Sequence, residues 1–262
     1  MPEHDPQEDL ALLVRAAEEG GRIALGYWRK DPESWEKPDG AGPVSVADLA
    51  VDRNLRRMLG SARPNYGWLS EETPDSPTRL AQRHVFIVDP IDGTRSFLAG
   101  EPNFAITLAI TTSHEITAGV VHLPATGETY AALAGGIALK NGCPVHASGR
   151  LALAGADILM KRRNLTPDFW PHGVPAIRTS FRPSLAARLC LAAEGRHDGM
   201  LTLRGTWEWD CAAGSLIAER AGCIVTDSKG APLCFNQPIP KASGLICGPK
   251  ALHQALLMAL RP

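Results

Sequence analysis

The stretch Val88–Phe97, VDPIDGTRSF, contains the signals that decide the fold and the chemistry of this chain. The apolar run that starts at His84 predicts a buried strand, and Pro90 predicts that this strand ends at Asp89. Asp92 and Gly93 then form a turn before a short helix, so the two carboxylates can point into one cavity. The amides of Gly93 and Thr94 lie at the helix N-terminus, where an anion binds favourably. An Asx turn in which Asp92 only caps the helix is the alternative.

Acidic side chains recur at other strand ends and helix starts. Glu71 and Glu72 follow a short strand predicted at Asn65–Leu69, Asp48 opens a helix, and Asp210 lies at the start of a later one. Each has a purely structural alternative: Glu71 and Glu72 could lie in a solvated loop, Asp48 could be half of a capping box, and Asp210 could be a helix cap. These alternatives do not explain why the acids recur at positions where α/β-type folds bind ligands.

Converging carboxylates require a cation, because two of them about 4 Å apart repel by roughly 4 kcal/mol at an effective dielectric constant of 20. Ligands that are all oxygen favour Mg²⁺ or Mn²⁺ over zinc. A hard cation beside an anion-binding helix end suits metal-assisted phosphate hydrolysis. The sequence has no P-loop motif, no G-x-G-x-x-G dinucleotide motif and no G-x-S-x-G elbow, which disfavours the other phosphate and acyl chemistries.

The remaining patterns predict a mixed α+β fold, with sheets sandwiched by helix pairs. Five helices are predicted, at Leu10–Trp28, from the Ser45 capping box, at Ser184–Glu194, at Cys211–Ala221 and at Ala251–Leu260. Closely spaced strands are predicted at Phe104–Thr111, Ile116–Val121 and Thr129–Leu133, and further strands at Asp157–Met160, Ile224–Val225 and Gly244–Cys247. Short turns predict antiparallel pairing for the first three. The chain is predicted to form one domain, residues 1–262, with sub-domains at about 1–148 and 149–262.

Composition excludes several classes of function. The chain has 262 residues, with 27 Lys and Arg against 28 Asp and Glu, so it lacks the basic excess of a duplex-binding protein. With 6% aromatic residues, a stacking platform for single strands is also disfavoured. No apolar run is long enough for a membrane span and the N-terminus is acidic, so we expect a soluble cytoplasmic protein. No pair of the six cysteines has C-x-x-C spacing, and most are expected to be buried, inert thiols.

Two motifs together resemble the inositol monophosphatase superfamily. These are DPIDGT at Asp89–Thr94 and WDCAAG at Trp209–Gly214. The resemblance extends from Lys37 through Glu71-Glu72 to the helix of Asp210. It implies a layered αβαβα sandwich of the inositol monophosphatase and fructose-1,6-bisphosphatase type. It also implies a lithium-sensitive phosphomonoesterase that uses two or three Mg²⁺ ions, with Mn²⁺ as a substitute, and it leaves a homodimer open as an assembly.

The resemblance implies a role for each matching residue. Glu71, Thr94 and Asp48 would be catalytic, with Thr94 helping to activate the attacking water and Asp48 shaping that site. The amides of Gly93 and Thr94 would hold the phosphate. The metal ligands would be Glu71, Asp89, the carbonyl of Ile91, Asp92 and Asp210.

The substrate pocket lies outside these motifs. Leu203 occupies the position where inositol phosphatases have an acidic residue that contacts hydroxyl groups. Leu69-Ser70-Glu71-Glu72 and the segment 203–210 are closer to the branch that removes the 3′-phosphate of 3′-phosphoadenosine 5′-phosphate, and Arg204 could hold a second phosphate. We therefore expect a 3′(2′),5′-bisphosphate nucleotidase. Inositol 1-phosphate and histidinol phosphate are the alternative substrates, and a non-enzymatic role as a regulatory partner is a different class of function.

Overall fold

The computed structural model describes residues 5–40 and 42–260, and these form six helices and sixteen strands. The helices are α1 (Pro6–Tyr27), α2 (Val46–Ala62), α3 (Thr94–Leu98), α4 (Leu185–Ala193), α5 (Glu208–Arg220) and α6 (Lys250–Leu260). The strands are β1 (Ser34–Glu36), β2 (Pro43–Ser45), β3 (Gly67–Ser70), β4 (His84–Asp92), β5 (Ala105–Thr112), β6 (Glu115–Leu123), β7 (Glu128–Leu133), β8 (Leu139–Lys140), β9 (Cys143–Pro144), β10 (Asp157–Leu159), β11 (Arg178–Ser180), β12 (Gly199–Thr202), β13 (Thr206–Trp207), β14 (Cys223–Thr226), β15 (Lys241–Ala242) and β16 (Leu245–Pro249).

Side-chain caps set where the first two helices begin. The Asp5 side chain accepts a hydrogen bond from the amide of Gln7, and Pro6 occupies the first helical position, so α1 begins four residues before the predicted Leu10. The capping box predicted between Ser45 and Asp48 is present at the start of α2. The C-caps of α4 and α5 are each followed by a glycine with a positive φ, Gly195 and Gly222.

Seven strands form the first sheet in the order β3-β4-β5-β6-β7-β8-β9. Strands β5 to β7 pair antiparallel, as predicted. Strand β4 also pairs antiparallel with β5, and β3 pairs parallel to β4. The predicted strand end at Asp89 was wrong, because β4 continues to Asp92. Pro90 has no N–H for the ladder, and the pairing shifts register between Asp89 and Asp92 before Asp92 pairs with Ala105.

Five strands form the second sheet in the order β11-β10-β12-β16-β14. Strand β10 pairs parallel with β11 on one side and with β12 on the other, and β16 pairs antiparallel with β12 and β14. Two small ribbons, β1-β2 and β13-β15, complete the pairing. The two large sheets thus use separate parts of the chain, while the sub-domain boundary near residue 148 stays a prediction.

Three apolar clusters separate the layers. One joins α1 and α2 to the first sheet through residues such as Leu13, Val51 and Phe86. The second joins the opposite face of that sheet to α4, α5 and the second sheet, and the third joins the second sheet to α6. The order is therefore helices, sheet, helices, sheet, helix, which confirms the αβαβα sandwich. Gly119 allows the close contact of β6 with α5, because a Cβ there would lie 3.0 Å from the backbone of Ala213.

The cysteine prediction holds for four of the six residues. Cys190, Cys211, Cys223 and Cys247 are buried, whereas Cys143 and Cys234 are exposed, and all six are free thiols. Within the described part of the chain, none of the helices combines the length and apolar character that a bilayer crossing requires.

Candidate active site

Three carboxylates converge at one edge of the first sheet. One oxygen atom of each of Glu71, Asp89 and Asp210 lies within 4.8 Å of the other two. Asp89 is buried, and the other two are partly exposed. This cluster can hold a metal ion, because its donors are all oxygen and their mutual repulsion needs a positive charge.

The topology explains why these three residues meet. Strands β3 and β4 are parallel and their pairing ends with Ser70 beside Val88, so the next residues, Glu71 and Asp89, lie side by side. Side chains alternate between faces, and Leu69 and Ile87, two residues before each acid, both point into the cluster shared with α4 and α5. The first turn of α5 is packed on that face and supplies Asp210.

Burial and repulsion perturb the acids in the same direction. Burial, followed by repulsion from Glu71, Asp92 and Asp210, raises the pKa of Asp89 well above its ordinary value. Burial and repulsion from Asp92 and Glu71 do the same to the pKa of Asp210, although Arg204 acts against the shift. The protein therefore holds negative charge here at an energetic cost that a bound cation would remove.

Lys37 is the cation that contacts this cluster. Its Nζ lies 2.7 Å from an oxygen of Glu71 and 2.7 Å from an oxygen of Glu72. Burial alone would lower the pKa of Lys37, but the two carboxylates outweigh burial and raise it to about 12. Burial raises the pKa of Glu72 to about 7, against the hydrogen bond from Lys37. Lys37 thus fixes the loop that follows β3.

The hydroxyl of Thr94 lies between two oxygen atoms. Its Oγ1 is 3.1 Å from Oδ1 of Asp48 and 3.1 Å from the carbonyl oxygen of Ile91. The other oxygen of Asp48 accepts hydrogen bonds from the amide and the hydroxyl of Ser45. Asp48 therefore caps α2 with one oxygen and contacts Thr94 with the other. Burial raises the pKa of Asp48 despite these hydrogen bonds. The structure therefore brings Asp48, Thr94 and Ile91 together, while their catalytic and metal-binding roles stay proposals.

Gly93 connects β4 to α3 in a conformation that favours glycine. Its φ is +98°, and a Cβ there would lie 2.8 Å from the carbonyl oxygen of Asn103. Gly93 is the N-cap of α3, and Thr94 is the first residue of that helix. The turn and the short helix predicted after Asp92 are both present.

Asp92 lies beside the three-carboxylate cluster and has a structural partner of its own. Its Oδ2 accepts hydrogen bonds from the hydroxyl of Ser184 at 2.6 Å and from the amide of Ala186 at 2.8 Å, which ties it to the start of α4. Burial raises its pKa, although these hydrogen bonds and Arg188 oppose the shift. Its role as a metal ligand stays a proposal.

Comparisons with known proteins identify the family of this fold and site. The family model described as "Inositol monophosphatase family" matches residues 5–262. A solved structure, extragenic suppressor protein SuhB from Bartonella henselae, superposes with a TM-score of 0.81 at 28% identity, covering 97% of this chain and 98% of that one. The chain belongs to the inositol monophosphatase family. It is a phosphatase.

The curated relatives of this inositol monophosphatase family member differ in activity. An inositol-1-monophosphatase from Rhizobium meliloti is 36% identical, covering 81% of this chain and 80% of that protein. A histidinol-phosphatase from Chlorobaculum parvum is 30% identical, covering 96% of both. A 3′(2′),5′-bisphosphate nucleotidase CysQ from Aggregatibacter actinomycetemcomitans is 28% identical, covering 86% of both. These similarities leave the substrate of the family member undetermined.

A group of cations faces the acidic cluster from the second sheet. Two of these cations follow the carboxyl ends of parallel strands, Lys161 after β10 and Arg204 after β12. Phe181 follows β11, the neighbour of β10, in the same way. Arg188 on α4 lies with its guanidinium carbon 5.1 Å from the ring centre of Phe181, and the Nζ of Lys161 lies 5.5 Å from the same centre. Arg204 itself is exposed.

Arg188 is the most unusual member of this group. It is 2% exposed, and it forms no ion pair with any residue in the described ranges. Burial and repulsion from Arg204 lower its pKa to about 10, although Asp92 and Asp210 act in the opposite direction. Burial and repulsion from Arg204, Arg163, Arg188 and Arg95 likewise lower the pKa of Lys161. A buried cation without a carboxylate partner can bind an anion.

Sequence reasoning missed three of these residues. Lys37 was named only as the start of the family resemblance, and neither Lys161 nor Arg188 was considered. The signal was available for Lys161, because it follows a predicted strand as the acids do. Nothing local to Arg188 distinguishes it from a surface arginine on an amphipathic helix.

Proposed function

We propose that this phosphatase depends on Mg²⁺ and removes the 3′-phosphate of 3′-phosphoadenosine 5′-phosphate. The observation that supports this substrate best is the buried guanidinium of Arg188, which has no carboxylate ion-pair partner among the described residues and lies near Lys161 and Arg204, opposite the acidic cluster. A substrate with a second phosphate neutralises this charge, and a phosphomonoester of a neutral alcohol does not.

The donor set fits two or three Mg²⁺ ions, with Mn²⁺ as a substitute. Glu71, Asp89, Asp92, Asp210 and the carbonyl of Ile91 would be the ligands, because hard cations prefer oxygen donors. When bound, such ions would lower the pKa of a water molecule, so that it can lose a proton and attack phosphorus, and would stabilise the leaving oxygen. We also propose the lithium sensitivity that is typical of the family.

The side chains around this cluster would position the reactants. The hydroxyl of Thr94 donates its hydrogen to Asp48, so its oxygen can accept a hydrogen bond from the attacking water and orient that water. Glu71, which Lys37 fixes, would lie on the other side of that water as the second catalytic carboxylate. The amides of Gly93 and Thr94 would hold the phosphate that is cleaved.

The alternative substrates fit the cations less well. Inositol 1-phosphate offers hydroxyl groups, and Leu203 supplies no carboxylate to bind them. Histidinol phosphate has a protonated amine, which the cations near Arg188 would repel. A purely regulatory role is disfavoured because Glu71, Asp89 and Asp210 remain assembled. A secondary partner role could be tested by affinity capture with a variant inactive in hydrolysis.

Arginine variants test this proposal. Arg204→Ala and Arg188→Gln should each raise KM for 3′-phosphoadenosine 5′-phosphate by ~10-fold or more, because a charge-assisted hydrogen bond contributes about 1.5–3 kcal/mol. KM for inositol 1-phosphate should change little. Arg57→Ala, which removes an exposed arginine on α2, is the matched control. Equal losses for both substrates would show that the arginines support the fold and that selectivity lies elsewhere.

A further inference from the structure

Two stacked indole rings lie immediately before Asp210 in the chain. The ring of Trp207 lies 4.9 Å from that of Trp209, with 11° between their planes. Trp207 is 38% exposed. Trp209 is half-buried against the central core, and its carbonyl oxygen accepts a hydrogen bond from Thr107 on β5 at 2.9 Å. Trp207 is therefore an exposed aromatic surface on a fixed support.

Trp207 is close to the acidic cluster through its backbone. It is the N-cap of α5, and Asp210, one of the three clustered carboxylates, lies in the first turn of that helix. Arg204, three residues earlier, acts electrostatically on that same carboxylate. The indole ring thus lies in the segment between Arg204, which is proposed to bind the second phosphate, and Asp210, which is a proposed metal ligand.

Lys241 contacts the ring of Trp207 and does not block it permanently. The pairing of β13 with β15 aligns the two residues, and the Nζ of Lys241 lies 4.8 Å from the ring centre. Lys241 is exposed, so its ammonium can return to water. An exposed cation–π contact is weaker than the stacking of a base on an aromatic side chain. A planar base can therefore displace the ammonium from the ring.

We infer that Trp207 is the stacking platform for the purine base of the substrate, and that it forms a nucleobase subsite beside the acidic cluster. This inference rests on the proposed function, because only a nucleotide substrate brings a base to this segment. Trp207 determines the preference for nucleotides over bisphosphates without a base. It binds substrate and takes no part in the chemical step.

The test compares two substrates on two variants. The substrates are 3′-phosphoadenosine 5′-phosphate and ribose 3,5-bisphosphate, which has both phosphates and no base. Trp207→Leu should raise KM for the nucleotide by ~5- to 100-fold, the range expected for losing one stacked base. KM for the base-free substrate should stay the same. Trp207→Phe should restore most of the loss, and Phe169→Leu, at an aromatic residue 41% exposed, is the matched control.

A binding measurement separates stacking from catalysis. Adenosine 5′-phosphate, the product, should quench tryptophan fluorescence in the wild-type protein with Mg²⁺, and Trp207→Leu should lose most of this quenching. Equal KM increases for both substrates, or no rescue by Trp207→Phe, would overturn the inference. If the nucleotide is hydrolysed equally well without the indole, the proposed function stands and this inference fails. If the wild-type protein does not hydrolyse the nucleotide, both fail.

Discussion

At the scale of single residues, Asp89 gives the sharpest test of the metal cluster. Carboxylate pairs at 4.8 Å repel by roughly 3 kcal/mol at an effective dielectric constant of 20. In the wild type, Oδ1 of Asp89 accepts a hydrogen bond from the amide of Ile91 at 3.0 Å. Asp89→Asn keeps an oxygen that can accept this hydrogen bond. Without metal this variant should unfold at the same temperature as the wild type or higher. Mg²⁺ at 100 times its Kd should stabilise the wild type by about 2.7 kcal/mol and so raise its Tm. The Tm of the variant should barely change.

The control for Asp89→Asn is Asp168→Asn, which changes an exposed carboxylate away from the cluster. Differential scanning calorimetry with and without Mg²⁺ measures both effects. If Asp89→Asn keeps the full Mg²⁺-induced shift and normal turnover, the cluster does not hold the metal.

Thr94 separates a catalytic role from a structural one. Thr94→Ala should lower kcat by ~10²- to 10⁴-fold, because it removes the hydroxyl that orients the attacking water. Asp48 keeps its hydrogen bonds from Ser45, so the Mg²⁺-induced rise in Tm should be unchanged. Thr94→Ser should recover much of kcat. Loss of the metal-induced shift in Thr94→Ala would instead show that the hydroxyl is a structural cap.

The site residues differ in how far the sequence alone could predict them. Asp89 and Glu71 could be placed together because each comes directly after a readable apolar run, and neighbouring strands can bring two such positions side by side. Lys37 and Arg188 could not, because their partners lie far away in sequence and depend on how whole layers pack. Asp92 shows the limit of spacing arguments, since its hydrogen bonds to α4 depend on a helix that begins more than ninety residues later.

At the scale of elements, the contact of α6 with β14 predicts a pH dependence. Nε2 of the buried His253 lies 2.8 Å from Oγ1 of Thr226, and burial lowers the pKa of His253 from 6.5. The unfolded chain then binds more protons than the folded one as the pH falls below 6.5. The free energy of unfolding contributed by this contact should be fully present above pH 6.5 and should fall by up to about 1.4 kcal/mol per pH unit below it.

Urea unfolding at several pH values tests this contact. His253→Gln should lose less stability than the wild type between pH 6.5 and pH 5.5, while His172→Gln, at an exposed histidine, should follow the wild type. The pKa of His122 is also lowered by burial, so part of the slope should remain in the variant. Identical pH profiles for His253→Gln and the wild type would contradict the assignment.

Element boundaries were harder to predict than the elements themselves. The helix signal at Ser45 was correct because a capping residue acts locally. The end of β4 was wrong because a proline stops only one ladder hydrogen bond, and a register shift lets the pairing resume at Asp92. The early start of α1 at Pro6 follows from a cap by Asp5 that periodicity alone does not show.

At the scale of the whole molecule, a formal net charge of −1 conceals a separation of charge. The first sheet carries Glu71 and Asp89 where the pairing of β3 with β4 ends, and the second sheet carries Lys161 and Arg204 beyond the ends of β10 and β12. The layer order could be predicted from the family resemblance. The sequence could not predict that the acidic edge and the cationic edge lie opposite each other, because this depends on how α4 and α5 pack between the sheets.

The most direct measurement is the release of phosphate by the wild-type protein from 3′-phosphoadenosine 5′-phosphate and from inositol 1-phosphate, each with Mg²⁺ and with a chelator. We expect kcat/KM to be at least ~10-fold higher for the bisphosphate, because a single phosphate leaves the cations near Arg188 unpaired. Both activities should disappear with the chelator. A higher kcat/KM for inositol 1-phosphate, or turnover that survives removal of Mg²⁺, would contradict the proposed function.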